Sequence, residues 1–389
     1  MRTVGVVTVA RSDYGIYIPV LRAIQKDPRL KLRLIAAGMH LSPEFGFTLD
    51  MIRRDGFPVA DCVEMLLSSD TPLGVAKSMG LGVAGFAESY SRSRPDILLA
   101  LGDRFEMHSA VLAALPFKIP VAHIHGGELT FGAIDDALRH SITKLSHLHF
   151  AATREYADRI VQLGEEPWRV VVSGAPGLDH LSSIEFLDRE ELERRFSLSL
   201  PEPPLVATFH PVTLEFEDTE RHISELLAAL DSVRVPIVFT MPNADTGGRL
   251  ALRHVLEFVR THPHAFYVEN LGTQAYFSLM KIAAAMVGNS SSGIIEAASF
   301  QLPVVNVGNR QAGRVRGRNV IDVEPSRAAI EAGLGAALGR PFRDSLAGLE
   351  NPYGSGRASE IIVGRIAEEP LGDRLIVKRF HDAPRGKRP

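Results

Sequence analysis

Acidic, basic and imidazole side chains stand directly after short apolar runs in the first half of the chain. Asp13 lies in Arg11-Ser12-Asp13-Tyr14-Gly15, Asp103 in Gly102-Asp103-Arg104-Phe105-Glu106, and His125 and Glu128 in His123-Ile124-His125-Gly126-Gly127-Glu128, with Asp135 a little further on. Carboxylates and an imidazole beside Arg11 and Arg104 are the material of general acid–base catalysis. Each also has a plainer use. Asp13 and Asp135 precede helix-period stretches and suit helix N-caps, Asp103 can pair with the adjacent Arg104, and His125 can be a hydrogen-bonded core residue. His140, next to Arg139, is read as structural.

The second half carries a different chemistry. Gly288-Asn289-Ser290-Ser291-Ser292-Gly293 leads into an apolar helix, Ile294–Phe300. Free N–H groups and serine hydroxyls at a helix start suit a phosphate, although a serine N-cap is the simpler reading. Glu296 is placed to accept from ribose hydroxyls, or to complement the helix dipole. Arg310 in Gly308-Asn309-Arg310-Gln311 offers a fork-shaped donor to a diphosphate, or a surface ion pair. His210-Pro211 and Pro242-Asn243-Ala244-Asp245 complete the set.

Such residues need elements that bring them together. Val4–Ala10, Leu32–Ala37, Ile97–Leu101, Val121–Ile124, His149–Ala152 and Val170–Ser173 read as buried strands, separated by amphipathic stretches such as Ile16–Gln25, Leu73–Ser91, Phe105–Leu115 and Asp136–Ser146. After Asp179 the alternation restarts, with strands at Val206–His210, Ile237–Met241, Phe266–Val268, Ala285–Gly288, Val304–Val307 and Val320–Val323. Continuous apolar strands alternating with helices predict two doubly wound α/β domains with parallel sheets. Ligands bind beyond the carboxyl ends of such strands, where every residue named above falls. An active-site cleft between the domains is therefore expected. The expected division is 1–174 and 175–354, at the Gly174-Ala175-Pro176-Gly177 break. The basic tail, 371–389, is expected to be solvated and frayed from Lys378.

Composition narrows the class. The 389 residues are 45% hydrophobic and 23% charged, and 43 Lys and Arg against 46 Asp and Glu leave a net charge of −3. That gives no basic field for nucleic acid, and no apolar run approaches the ~18–20 residues a membrane-spanning helix needs. The single cysteine, Cys62, excludes an internal disulfide and a cysteine metal cluster. With no signal-peptide pattern at the start, a cytoplasmic enzyme is the expected class. Gly80-Leu81-Gly82-Val83-Ala84-Gly85 matches G-x-G-x-x-G but lies inside a helix-period stretch, so close helix packing explains it better than a dinucleotide. No P-loop, H-E-x-x-H or G-x-S-x-G is present. No cofactor and no metal are expected.

The same strand-end runs resemble the hydrolysing UDP-N-acetylglucosamine 2-epimerases of the sialic-acid pathway. The likeness extends through Ala37-Gly38-Met39-His40-Leu41, Ile134-Asp135-Asp136, Leu138-Arg139-His140-Ser141-Ile142-Thr143-Lys144 and Phe209-His210-Pro211-Val212-Thr213 to Gly308–Arg314, and covers about residues 3–365. It implies the glycosyltransferase-B-like fold of two Rossmann-like domains, with the C-terminal helix, 355–370, packing back on the first. By position it implies a nucleotide-binding set of Arg11, Arg104, His210, Asn243, Ser290, Ser291, Glu296 and Arg310, with Arg139 also at the substrate. It implies an acid–base set of Asp13, Asp103, Asp135 and the residue at 125. Two positions depart from many relatives: Gly15 replaces serine, and His125 replaces glutamate. The second proton-transfer group is then either His125 or Glu128.

The resemblance also implies a reaction. C2 of the sugar is not next to a carbonyl, so the available route is elimination: C2 loses its proton while UDP leaves C1. Water adds to the resulting 2-acetamidoglucal at C1, and a proton returns to C2 from the opposite face. UDP-N-acetylglucosamine as substrate gives N-acetylmannosamine and UDP. The alternatives are the same chemistry on a UDP-2,4-diacetamido-2,4,6-trideoxyhexose, a glycosyltransferase on the same fold, and an inactive nucleotide-sugar sensor. A homodimer or homotetramer is expected.

Overall fold

The computed structural model describes residues 1–69, 71–131, 134–211, 217–241 and 248–382. The chain forms two compact units: Met1–Glu128 with Ile134–Asp179 and Gly356–Pro389, and Leu129–Ala133 with His180–Ser355. The division at Asp179 falls a few residues past the break expected at 174.

In the first unit, β1 (Arg2–Thr8), β2 (Leu30–Ala37), β3 (Val59–Val63), β4 (Ile97–Leu101), β5 (Val121–Ile124), β6 (Leu148–Ala151) and β7 (Val170–Val172) form one sheet in the order β3-β2-β1-β4-β5-β6-β7. Every pairing is parallel. Strand β4 is buried along its whole length because helices cover both faces of the sheet. The order reverses between β1 and β4, so their carboxyl ends open the crevice where ligands bind in such sheets. β3 was not foreseen. It is an edge strand, and Asp61 and Cys62 interrupt its apolar pattern.

The helix after β1 spans Arg11–Lys26, starting well before the expected Ile16. Asp13 therefore lies in its first turn, and the N-cap is Ala10, which makes no side-chain cap. Likewise Asp135 sits inside the helix Ile134–Leu145 rather than capping it. Pro72–Arg92 is one helix and contains the glycine run. A Cβ on Gly82 would come within 2.5 Å of Met65 and one on Gly85 within 2.7 Å of Val63, so these glycines serve packing.

The chain returns to this unit at its end. The Asp179 carboxylate accepts from the Ala358 N–H at 2.9 Å and from the Ser359 N–H at 2.5 Å, capping the helix Ala358–Glu368. That helix packs on Arg11–Lys26 and adds Ile362, Val363 and Ile366 to the core. Beyond it, residues 374–378 are anchored where a solvated tail was expected. The buried Arg169 donates to the carbonyls of Leu375, Arg374 and Val377 at 2.8, 2.9 and 3.2 Å. Lys378 Nζ donates to the fully buried Glu165 at 2.9 Å and to the Ser146 carbonyl at 2.6 Å. A buried carboxylate requires cations, and Lys378 joins Lys144 in supplying them.

In the second unit, β8 (Leu205–Thr208), β9 (Ile237–Thr240), β10 (Ala265–Val268), β11 (Ala285–Gly288), β12 (Val304–Val307) and β13 (Val320–Val323) form a parallel sheet in the order β10-β9-β8-β11-β12-β13. Its reversal lies between β8 and β11. Among the described residues, no helix is long and apolar enough to cross a membrane.

Candidate active site

The first unit gathers its polar groups at the carboxyl ends of β1, β4 and β5. Asp13 is 6% exposed, and its Oδ2 is buried without a hydrogen-bond partner among the described residues. Burial pushes its pKa up to about 6; Arg104 opposes this and Glu106 reinforces it. Arg104 lies with its Nε 3.4 Å from Glu106 Oε2 and its Nη2 3.1 Å from Met39 Sδ. Burial acts to lower the Arg104 pKa, but Glu106 and Asp13, with a contribution from Asp135, hold it above its ordinary value. Glu106, 1% exposed, was quoted in the strand-end run but given no role. The run itself, an acid two residues after Arg104, was the signal.

Asp103 accepts from Arg139 Nη2, and Arg139 Nη1 donates to the Glu128 carbonyl at 3.0 Å. Arg139 is 3% exposed, so its guanidinium ties the loop after β4 to the loop after β5. His125 Nδ1 lies 2.6 Å from Glu128 Oε1. His123, on β5 itself, places Nε2 2.8 Å from the Gly102 carbonyl, just before Asp103. Burial drives the His123 pKa down to about 3, so the ring is neutral. His40 is also neutral, with burial lowering it to about 4, and is held between Thr8 Oγ1 at 2.9 Å and Thr48 Oγ1 at 2.6 Å. Arg11 is exposed at the first position of its helix, away from these bonds.

The second unit makes its own cluster at β8, β11 and β12. Asn289 is the hub: Oδ1 accepts from the His210 N–H at 2.7 Å, and Nδ2 donates to the His210 carbonyl at 2.8 Å. Its own carbonyl accepts from Arg310 Nη1 at 3.1 Å and Gln311 Nε2 at 2.9 Å. Gly288 must be glycine: with φ at +128°, a Cβ would lie 1.9 Å from the Thr208 carbonyl oxygen. His210 is 6% exposed, and burial, then the charge of Arg310, lower its pKa to about 3. It is a neutral hydrogen-bonding group at any working pH.

Ser290 caps the short helix Ser291–Ile295, accepting from the Ser292 N–H at 3.3 Å. The simpler serine reading therefore holds, and a capping hydroxyl keeps its own proton to donate. Glu296 follows that helix at its C-cap rather than standing in its first turn. Asn243 lies outside the described residues. Asn289 and Gln311 had no assigned role in the sequence, because their function is to hold neighbouring loops. Among the described residues, no group of three or more His, Cys, Asp or Glu side chains is placed to hold a metal ion.

Two parallel-sheet α/β units of this topology define a glycosyltransferase-B-like fold. A crystal structure of UDP-GlcNAc 2-epimerase from Neisseria meningitidis, bound to UDP-GlcNAc, matches it with a TM-score of 0.81 at 18% identity, covering 94% of this chain and 100% of that one. The family model for UDP-N-acetylglucosamine 2-epimerase matches residues 22–367, and the chain belongs to that family. The GDP/UDP-N,N'-diacetylbacillosamine 2-epimerase (hydrolyzing) of Campylobacter jejuni is 40% identical over 83% of this chain and 84% of its own length. The UDP-N,N'-diacetylbacillosamine 2-epimerase (hydrolyzing) of Legionella pneumophila is 35% identical over 97% of this chain and 99% of its own.

Proposed function

We propose that the chain is a hydrolysing 2-epimerase of UDP-N,N'-diacetylbacillosamine that releases UDP and the free, C2-inverted 2,4-diacetamido-2,4,6-trideoxy sugar. The observation that carries the substrate is the likeness to two relatives named for it, at 40% and 35% identity. The sequence alone ranked UDP-N-acetylglucosamine first and this sugar second. The chemistry is the same for both.

In the first unit, Asp13, Asp103, Asp135 and the His125–Glu128 pair handle protons at C2 and at the incoming water. Removal of the C2 proton sends its electron pair into the C1–C2 bond as the C1–O bond breaks and UDP departs. Water then adds to C1 of the glycal while a proton is delivered to C2 from the other face. A carboxyl group poised at about 6, as burial poises Asp13, can give and take protons near neutral pH. The nucleotide set is Ser290, Ser291, Arg310 and neutral His210 for the diphosphate and Glu296 for the ribose, with Arg11, Arg104 and Asn243. Arg139 serves the substrate through its hold on Asp103. A homodimer or homotetramer and a cytoplasmic location belong to the same proposal.

The test is proton NMR of products from the purified protein with each UDP-sugar. Faster release of the free diacetamido sugar supports the reading. Faster release of N-acetylmannosamine from UDP-N-acetylglucosamine returns the substrate to the first expectation, and a UDP-linked epimer with no free sugar sinks the hydrolysing assignment.

A further inference from the structure

His125 is held in a conformation that L-residues with a side chain rarely adopt, with φ at +65°. Its surroundings enforce it. The His125 N–H donates to the Phe150 carbonyl at 3.2 Å, extending the β5–β6 pairing past the end of β5. Gly126 follows where a Cβ would come within 3.0 Å of His123 Nδ1 and of Thr143 Oγ1. Gly127 follows at φ +77°, where a Cβ would lie 2.3 Å from the Tyr156 carbonyl oxygen. The turn is pinned by two arginines: Arg159 Nη1 reaches the Gly127 carbonyl at 2.5 Å, and Arg139 Nη1 the Glu128 carbonyl at 3.0 Å. Backbone strain so thoroughly fixed is usual where a functional group is being aimed.

The turn places the Glu128 carboxylate, 5% exposed, 2.6 Å from His125 Nδ1. An ionised carboxylate only accepts, so Nδ1 carries the proton of that bond and Nε2 is left as the basic nitrogen. The bond to Glu128 uses Nδ1 and leaves Nε2 outside it, and the His125 side chain keeps 12% of its surface open. A base held by a buried acid through its far nitrogen is the arrangement that orients an imidazole for proton transfer.

We infer that His125 and Glu128 act as one unit, in which His125 Nε2 exchanges the proton with C2 and Glu128 is a positioning residue that never meets the sugar. When Nε2 accepts a proton, the ring becomes an imidazolium whose Nδ1–H remains on Glu128; when it gives that proton up, the neutral Nδ1–H tautomer is restored. The inference rests on the proposed 2-epimerase activity for its role at C2. The His125–Glu128 geometry stands without it.

Two measurements separate those layers. On the unliganded protein, nitrogen-15 NMR should show His125 protonated at Nδ1 at neutral pH, and Glu128→Gln should abolish that preference. An Nε2–H tautomer in the wild type overturns the dyad, whatever the substrate proves to be. On turnover, His125→Gln should lower kcat by about 10²–10⁴-fold with UDP affinity held within a few-fold, as expected for a lost general acid or base. Glu128→Gln should lower kcat at least about 10-fold with little change in KM, and Glu128→Asp should recover part of it. The deciding variant is the double one. Because the two residues act together, His125→Gln with Glu128→Gln should be no slower than His125→Gln alone. Losses that multiply make Glu128 an independent proton-transfer group and overturn the assignment.

Discussion

The Asp103 carboxylate accepts from Arg139, and the arginine that donates to it is 3% exposed. So buried a guanidinium cannot swing out to another partner, and the carboxylate is fixed in direction. Asp103→Asn preserves size and removes the charge. Turnover should fall about 10²–10⁴-fold while UDP affinity, measured by calorimetry, changes less than about threefold. A variant that turns over near the wild-type rate would remove Asp103 from the proton-handling set.

Asp13 links pH to stability in the direction opposite to most carboxylates. Burial raises its pKa to about 6, so the folded chain prefers the protonated form. Its contribution is complete below about pH 4 and is lost as pH rises through 6, so Asp13→Asn should gain roughly 1–3 kcal/mol at pH 8 relative to the wild type and little at pH 4. Urea unfolding at both pH values reads this. Glu106→Gln removes a neighbour that raises the Asp13 pKa, so the Asp13 titration followed by carbon-13 NMR should move to lower pH.

For the diphosphate set, Ser291→Ala and Arg310→Ala should each weaken UDP binding, by roughly 1.5–3 kcal/mol per lost bond to a charged group. Ser290→Ala should do the same and also cost about 1 kcal/mol of stability through the lost helix cap. Unchanged calorimetric affinity in all three variants would leave the serines as capping and packing residues only.

Glu165 behaves in the ordinary sense. Burial acts to raise its pKa, but hydrogen bonds from His149, Lys144 and Lys378 outweigh it and bring the value to about 2. Its contribution is present above about pH 4.5 and is lost as pH falls through 2. Lys378→Met should weaken the wild type's advantage between pH 7 and pH 3, with the urea midpoint as the measure. Arg169→Met should cost more, about 2–5 kcal/mol, because it leaves the carbonyls of Arg374, Leu375 and Val377 without their donor.

Much of this was readable in the sequence for one reason: a parallel sheet buried on both faces writes its strands as unbroken apolar runs and displays its chemistry where they stop. Asp13, Asp103, His125 and Ser290 were legible on that ground. The edge strand Val59–Val63 was not, because Asp61 and Cys62 break its apolar run. The start of the helix Arg11–Lys26 was hidden for want of a capping side chain at Ala10. Asn289 and Gln311 escaped because their work is to grip loops distant in sequence, and no local pattern records a partner 79 residues away, as His210 is from Asn289.

The capping of Ala358–Glu368 by Asp179 bears on how the molecule is born. During synthesis the first sheet is finished at β7, yet the helix that covers Arg11–Lys26 is made only after the entire second unit has been translated. At ordinary elongation rates of about 5–20 residues per second, that interval is of the order of ten seconds or more. Throughout it, the apolar seat of Ile362, Val363 and Ile366 is left uncovered. The second unit, continuous from His180 to Ser355, meets no such delay. The later half is thus fully synthesised before the amino-terminal core receives its last helix.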